Sequence, residues 1–159
     1  MPTLNLDELP RGGTMCHAKA GLVISSTPAN YGIVCPAGTG VEFSINGLTY
    51  YKANAADIAM TAATAQGLLS TCIYLVLLDS SGTATTQKGT AQLNADLTAG
   101  IAVLEWPTPA ANLCPIGAIK VQTLTSGNFT AGTTALTPAA TLAVTYYDFM
   151  CVPSAPLTS

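Results

Sequence analysis

The stretch VEFSINGLTYYKA, residues 41–53, constrains the fold more than any other part of the chain. Val41, Phe43 and Ile45 alternate with Glu42 and Ser44, which sets one apolar and one polar face on a strand. Asn46-Gly47 follows, a dipeptide that tolerates the two positive φ angles of a type I′ turn. LTYYKA then returns. The reading is an antiparallel hairpin with Glu42 on its solvated side. A second turn-marked pair lies in CIYLVLLDSSGTATTQKGTA, residues 72–91. Cys72 to Leu78 is continuously apolar, as a strand covered on both faces would be. Asp79 opens the turn, and Thr83 to Lys88 returns as a Thr-rich strand suited to an exposed or interface-facing place.

The rest of the chain fits around these hairpins. Short strands are expected at Leu22 to Ser25 and Gly32 to Cys35, with a turn at Pro28 and Asn30. Residues 53–67 read as a loop with one helical turn, or as an irregular strand at Ile58 to Thr61. A polar segment follows Gly89, and Ile101 to Trp106 reads as another strand. Residues 106–115 cannot be central sheet, because Pro107, Pro109 and Pro115 lack ladder donors. Strands resume at Ile116 and at Leu142, separated by a Gly- and Thr-rich loop. Eight or so short strands with no long helix define an all-β chain, an antiparallel β-sandwich or jelly-roll-like single domain. Its expected bounds are 15–152, with an extended N-terminal arm at 1–14 and an extended C-terminal tail at 153–159.

Such a chain needs a surface, and this one has few charges to make it from. Charged residues are 8% of the 159, against roughly 25% in ordinary soluble domains. The exterior must consist largely of Thr, Ser, Ala and Gly. Lys and Glu are depleted from protein–protein interfaces because desolvating and immobilising them is costly. A chain that avoids them throughout reads as one that works in an assembly. Arg11, Lys19, Lys52, Lys88 and Lys120 are scattered singly, so no cationic footprint for nucleic acid or for an anionic membrane exists. The N-terminus has no basic start and apolar run, which excludes a standard signal peptide from the reading. The longest apolar stretch, Leu68 to Leu78, is too short to span a bilayer.

The catalytic inventory is thin. His17 is the only histidine, and it lies beside the arm. The eight carboxylates show no pairing in the sequence. Asp79 reads as a turn cap, and Asp148 either as a surface strand position or as a ligand for a cation or a neighbour's Lys. Phosphate-loop and dinucleotide motifs are missing from the sequence. Cys16, Cys35, Cys72, Cys114 and Cys151 contain no C-x-x-C; the first reading is five buried free thiols, the second a single disulfide. Tyr50-Tyr51 and Tyr146-Tyr147 should each turn one ring in and one out. The outward ring would anchor a subunit interface or stack on a sugar. No catalytic residue, metal or cofactor is expected.

The order FSINGLTYYKA, CIYLVLLDSSGTATTQKGTA, LCPIGAIKVQT, NFTAGTTAL and TYYDF resembles virion proteins of tailed bacteriophages that decorate the capsid exterior, as cement proteins or as the base of head fibres. The resemblance covers roughly residues 41–150. It implies a β-rich protein, often trimeric, that binds the major capsid protein and bridges its subunits against internal DNA pressure. The arm lies outside that likeness and is read from its own residues: three leucines in six, Leu4, Leu6 and Leu9, would be poorly placed in water, so the arm is expected to reach onto a neighbour with Leu4, Leu6, Leu9 and Arg11 as partner contacts. A head-fibre or receptor-binding module recognising host glycan, through loops 107–113 or 126–135, is the alternative.

Overall fold

The computed structural model describes residues 13–125 and 127–157. Its strands form three antiparallel sheets. The first joins β1 (Met15–Cys16), β4 (Gly40–Ile45) and β5 (Leu48–Ala53) in the order β1-β4-β5. The second joins β2 (Leu22–Ile24), β3 (Asn30–Ile33) and β6 (Ala55–Ala59) in the order β2-β3-β6. The largest runs β11-β10-β7-β8, from β7 (Ser70–Leu78), β8 (Ala84–Lys88), β10 (Cys114–Thr123) and β11 (Leu142–Asp148). Here β9 (Gln92–Leu93) also pairs with β7 and leads into the one-turn helix α1 (Asn94–Thr98).

The small sheets cover one face of the large sheet, giving the sandwich-like all-β architecture that the alternation implied. Every residue of β7 is buried. Cys72, Tyr74, Val76 and Leu78 face the main core with Tyr31, Ile33, Val41 and Phe43. Ile73, Leu75 and Leu77 face a second core with Leu104, Trp106 and Leu157. The strand is continuously apolar because both of its faces are covered. The cover on the outer face is α1, the segment 101–113 and the C-terminal tail, which Leu157 N–H ties to Leu104 O at 3.0 Å.

β10 shows how a bulge keeps such a strand in phase. Cys114 and Ile116 face the main core, and so do Ile119 and Val121, although the parity has changed. The register against β7 shifts between Pro115 and Gly117, so one extra residue absorbs the difference. Gly117 lies where β2 crosses the large sheet: a Cβ there would meet the Tyr147 carbonyl and the Leu22 side chain. Asp148, paired with Gly117, accepts the Leu22 N–H at 3.0 Å. It is therefore a bracket between layers and not a free surface carboxylate.

The hairpins form as expected. Asn46 and Gly47 have φ of 51° and 83°. Asp79 Oδ1 accepts the Ser81 N–H at 2.9 Å and the Thr83 N–H at 2.8 Å. Other expectations change. Residues 53–67 hold β6, earlier than the strand placed at Ile58 to Thr61, and no helical turn; its residues pair with β3. β3 begins two residues before its expected start at Gly32. Ile101 to Trp106 is no strand: only Leu104 bridges, to Leu157, because the segment lies across the outer face instead of along an edge. Pro115 does lie within a strand. It is tolerated because the β10–β11 ladder begins only at Gly117, so Pro115 has a sheet neighbour on one side alone. Residues 153–157 are part of the packed body, since Trp106 Nε1–H donates to Ala155 O at 2.9 Å.

Candidate interaction surface

Several of the residues that could do chemistry serve structural ends. His17 is exposed; its backbone N–H bonds Glu42 O at 2.9 Å, and Glu42 is on the solvated side as read. Asp57, on β6, ties down both ends of the β2–β3 turn, accepting Asn30 Nδ2–H and Ser25 Oγ–H, each at 2.8 Å. These bonds, Asn30 first, hold its carboxyl below the usual range. Asp79 is lowered chiefly by the Ser81 hydroxyl. Cys16, Cys35, Cys72 and Cys114 are buried free thiols, and burial pushes Cys72 up to about 11 and Cys114 up to about 12. Buried thiols of this kind are inert. Cys151 departs from the expectation: it is free but exposed, beyond the end of β11. Among the described residues, no group of three or more His, Cys, Asp or Glu could hold a metal ion.

Apolar surface is more informative. Leu69, Leu93, Ile101 and Val103 are 52%, 53%, 79% and 53% exposed. They flank α1, where a groove of about 270 Å³ has Val103 in its wall and Lys120 and Gln122 in its lining. Asn94 fixes this ridge to the sheet: its Nδ2–H donates to Thr123 O at 2.9 Å, and its N–H donates to Leu69 O at 2.9 Å. β2 adds Val23 and Ile24, and the loop after β3 adds Val34, all about two-fifths to one-half exposed.

The single Trp106 stands between two open clefts of about 480 and 300 Å³. Gln92, Lys88, Thr108 and Glu105 line the larger one. Tyr147 and Phe149 hold the indole edge-on, with centroids 5.8 and 5.6 Å away. Of the tyrosine pairs, Tyr50 stacks on Phe43 while Tyr51 is exposed, as read. Tyr146 and Tyr147 are both half-buried because each face of β11 meets one of the two cores.

The plain second strand of the long hairpin has a role within the chain. Thr86 N–H donates to Thr61 Oγ1 and Thr61 N–H to Thr86 Oγ1, each at 2.9 Å. Lys88 Nζ donates to Thr64 O at 2.9 Å. The segment before β7 thus covers the outer edge of β8 with reciprocal threonine bonds, a use that β propensity alone does not reveal.

The expected contacts Leu4, Leu6, Leu9 and Arg11 lie outside the described residues. Their attachment point is fixed: Gly13 O accepts Ser44 Oγ–H at 2.7 Å, and Thr14 Oγ1 accepts Asn46 N–H at 3.2 Å. The ridge around α1 was not read from the sequence. Its signal was the set of large apolar residues, Leu69, Leu93, Ile101 and Val103, within or bordering Gly-bracketed polar segments. Comparison with known proteins places the chain in no established group: no family model, no curated protein and no solved structure matches it.

Proposed function

We propose that this protein is a non-catalytic, structural virion protein that binds the outside of a phage capsid and stabilises it by bridging major capsid protein subunits. The observation that carries the reading is the surface itself. Leu69, Leu93, Ile101 and Val103 stand more than half exposed on a chain whose charged residues total 8%. Large exposed apolar patches mark sites of association, and charge depletion lowers the desolvation cost of contact. Asp57, Asp79 and Asp148 are engaged in structural hydrogen bonds and four of the five cysteines are buried, which supports a binding role over a catalytic one. The phage assignment rests on the resemblance of residues 41–150 to capsid decoration proteins. The arm, anchored at Gly13 and Thr14, would supply Leu4, Leu6, Leu9 and Arg11 to the same contact.

The test is co-sedimentation of the purified protein with expanded and unexpanded heads of its own phage. Saturable binding to expanded heads alone is the expected result. Binding to neither would refute the reading.

One observation favours a second reading, a module for host-surface glycan. Trp106 lines two open clefts, the larger with Gln, Lys, Glu and Thr side chains in its walls, a mixture that suits sugar rings. A glycan array without a Trp106-dependent hit would remove it.

A further inference from the structure

The sheet order leaves β11 at a free edge. Which of its backbone groups point outward follows from the bonds that continue its ladder. Phe149 N–H donates to Ile116 O at 3.4 Å, and Leu124 N–H donates to Thr141 O at 2.9 Å. Both continue the β10–β11 register, and both use even-numbered positions on the β10 side, Ile116 within the strand and Leu124 just past its end. Antiparallel bonding alternates every second residue, so Ala143, Thr145 and Tyr147 bond β10. Leu142, Val144, Tyr146 and Asp148 therefore turn their N–H and C=O groups away from the sheet. Leu142 uses both of its groups on Ala139, at 2.9 and 3.1 Å. Among the described residues, nothing bonds the outward groups of Val144 and Tyr146.

Natural sheets guard such edges with short strands, charges, proline, bulges or covering segments. The other edges here are guarded. β8 is covered by Thr61 and Thr64. β2 has three residues and β1 two. β6 carries Asp57 and a register shift, and β5 carries Lys52. β11 is seven residues long, runs in uninterrupted register, and has neither proline nor lysine.

We propose that β11 pairs antiparallel with β11 of a second copy of this chain, across a two-fold axis at Thr145. This stands whether or not the capsid reading holds. The residues of β11 make it self-complementary in that register. Val144 of each copy faces Tyr146 of the other, which forms four backbone hydrogen bonds and two β-branched–aromatic pairs. Thr145 meets Thr145 of the second copy in the intervening non-bonded pair. The strand's one charge, Asp148, lies at the end of the seam. The two Asp148 carboxylates are then about 20 Å apart at the rise of an extended strand. A parallel pairing would set them side by side. β2, which bonds Asp148, brings the exposed Val23 and Ile24 beside the seam. The contact is isologous and closes at two copies, whereas a trimer needs a different, head-to-tail surface.

The test uses the full chain in sedimentation equilibrium. The expected mass is twice 16.1 kDa. Val144→Pro removes an outward donor and leaves the bonds to β10, so the mass should halve with the circular dichroism spectrum retained. Should that variant fail to fold, two other readouts decide. Thr145→Cys in a Cys151→Ser background should oxidise to a disulfide-linked dimer, because a non-bonded antiparallel pair brings its Cβ atoms within bonding reach. Amide exchange should show Val144 and Tyr146 protected, and that protection should be lost on dilution to monomer. A monomer at every concentration, a trimer, an uncrosslinked Thr145→Cys, or freely exchanging Val144 and Tyr146 amides would each overturn the proposal.

Discussion

Gln66 is the residue whose replacement tests the internal logic of this fold most sharply. It is fully buried, and its side chain makes three bonds. Nε2–H donates to Ser70 O at 2.9 Å and to Val121 O at 3.0 Å, while Oε1 accepts the Tyr74 hydroxyl at 3.3 Å. Its backbone exchanges two bonds with Phe129, at 2.7 and 3.1 Å. One side chain thus ties the segment before β7, the strands β7 and β10, and the loop carrying Phe129. Gln66→Leu keeps the volume and removes the polar ends. Three lost bonds cost about 1 kcal/mol each, and a stranded Tyr74 hydroxyl about 1–3 kcal/mol more. Ser70 O keeps a share of the Thr123 hydroxyl, which lies 3.1 Å from it and 2.8 Å from Gly67 O, so the loss there is partly offset. The apolar side chain returns about 1–2 kcal/mol of transfer free energy. The net expectation is destabilisation by about 2–4 kcal/mol, read as a lower urea midpoint by circular dichroism. Tyr74→Phe alone should cost about 1 kcal/mol. The double variant should be less destabilised than the sum of the singles, by about 1–2 kcal/mol, because the stranded hydroxyl is gone. A Gln66→Leu effect below about 0.5 kcal/mol, or strict additivity with Tyr74→Phe, would refute the reasoning.

The other predictions use the same kind of accounting. Tyr31 Oη and Tyr146 Oη are buried without a partner among the described residues, so Tyr31→Phe and Tyr146→Phe should leave the urea midpoint unchanged or raise stability by up to about 1 kcal/mol; a clear loss would reveal a bond to another group. Thiol titration of the native protein should detect one fast-reacting cysteine, Cys151, with the other four reacting only on unfolding, and a second fast thiol would contradict the burial pattern. Cys72 and Cys114 ionise at about 11 and about 12 when folded, against 9.0 ordinarily, because burial penalises the thiolate. The stability this contributes is complete below pH 9.0 and is lost as pH rises toward 11–12. The slope is up to about 1.4 kcal/mol per pH unit for each thiol; equal urea midpoints at about pH 8 and about pH 10 would refute it. Gly117→Ala should cost about 1–3 kcal/mol in thermal unfolding, because the new methyl meets the Tyr147 carbonyl and Leu22 at the crossing of the two layers.

Much of this protein is legible in its residues. The all-β class, the type I′ turn at Asn46-Gly47, the Asp79 cap and the doubly buried strand from Cys72 follow from period, turn chemistry and apolar runs. Each of these is decided within a few residues of itself. The surface was legible too, since a chain so poor in charge must cover itself with small polar and apolar groups. Other features arise only when distant segments meet. Ile101 to Trp106 has the composition of a strand, yet it lies flat because β7 and β10 need a cover on their outer face. Pro115 enters a sheet because the neighbouring strand ends before reaching it. Residue parity in β10 reverses at a bulge beside Gly117, the residue that Leu22 of the other layer crosses. Asp148 has the look of a surface residue, and becomes a bracket because β2 passes beside it. Thr61 and Thr86 are unremarkable until the fold sets them face to face across an edge. Local pattern fixes which residues extend and which turn. Which edge is covered, and which remains open at Val144 and Tyr146, depends on hydrogen-bond partners far apart in sequence, and only the tertiary structure brings those together.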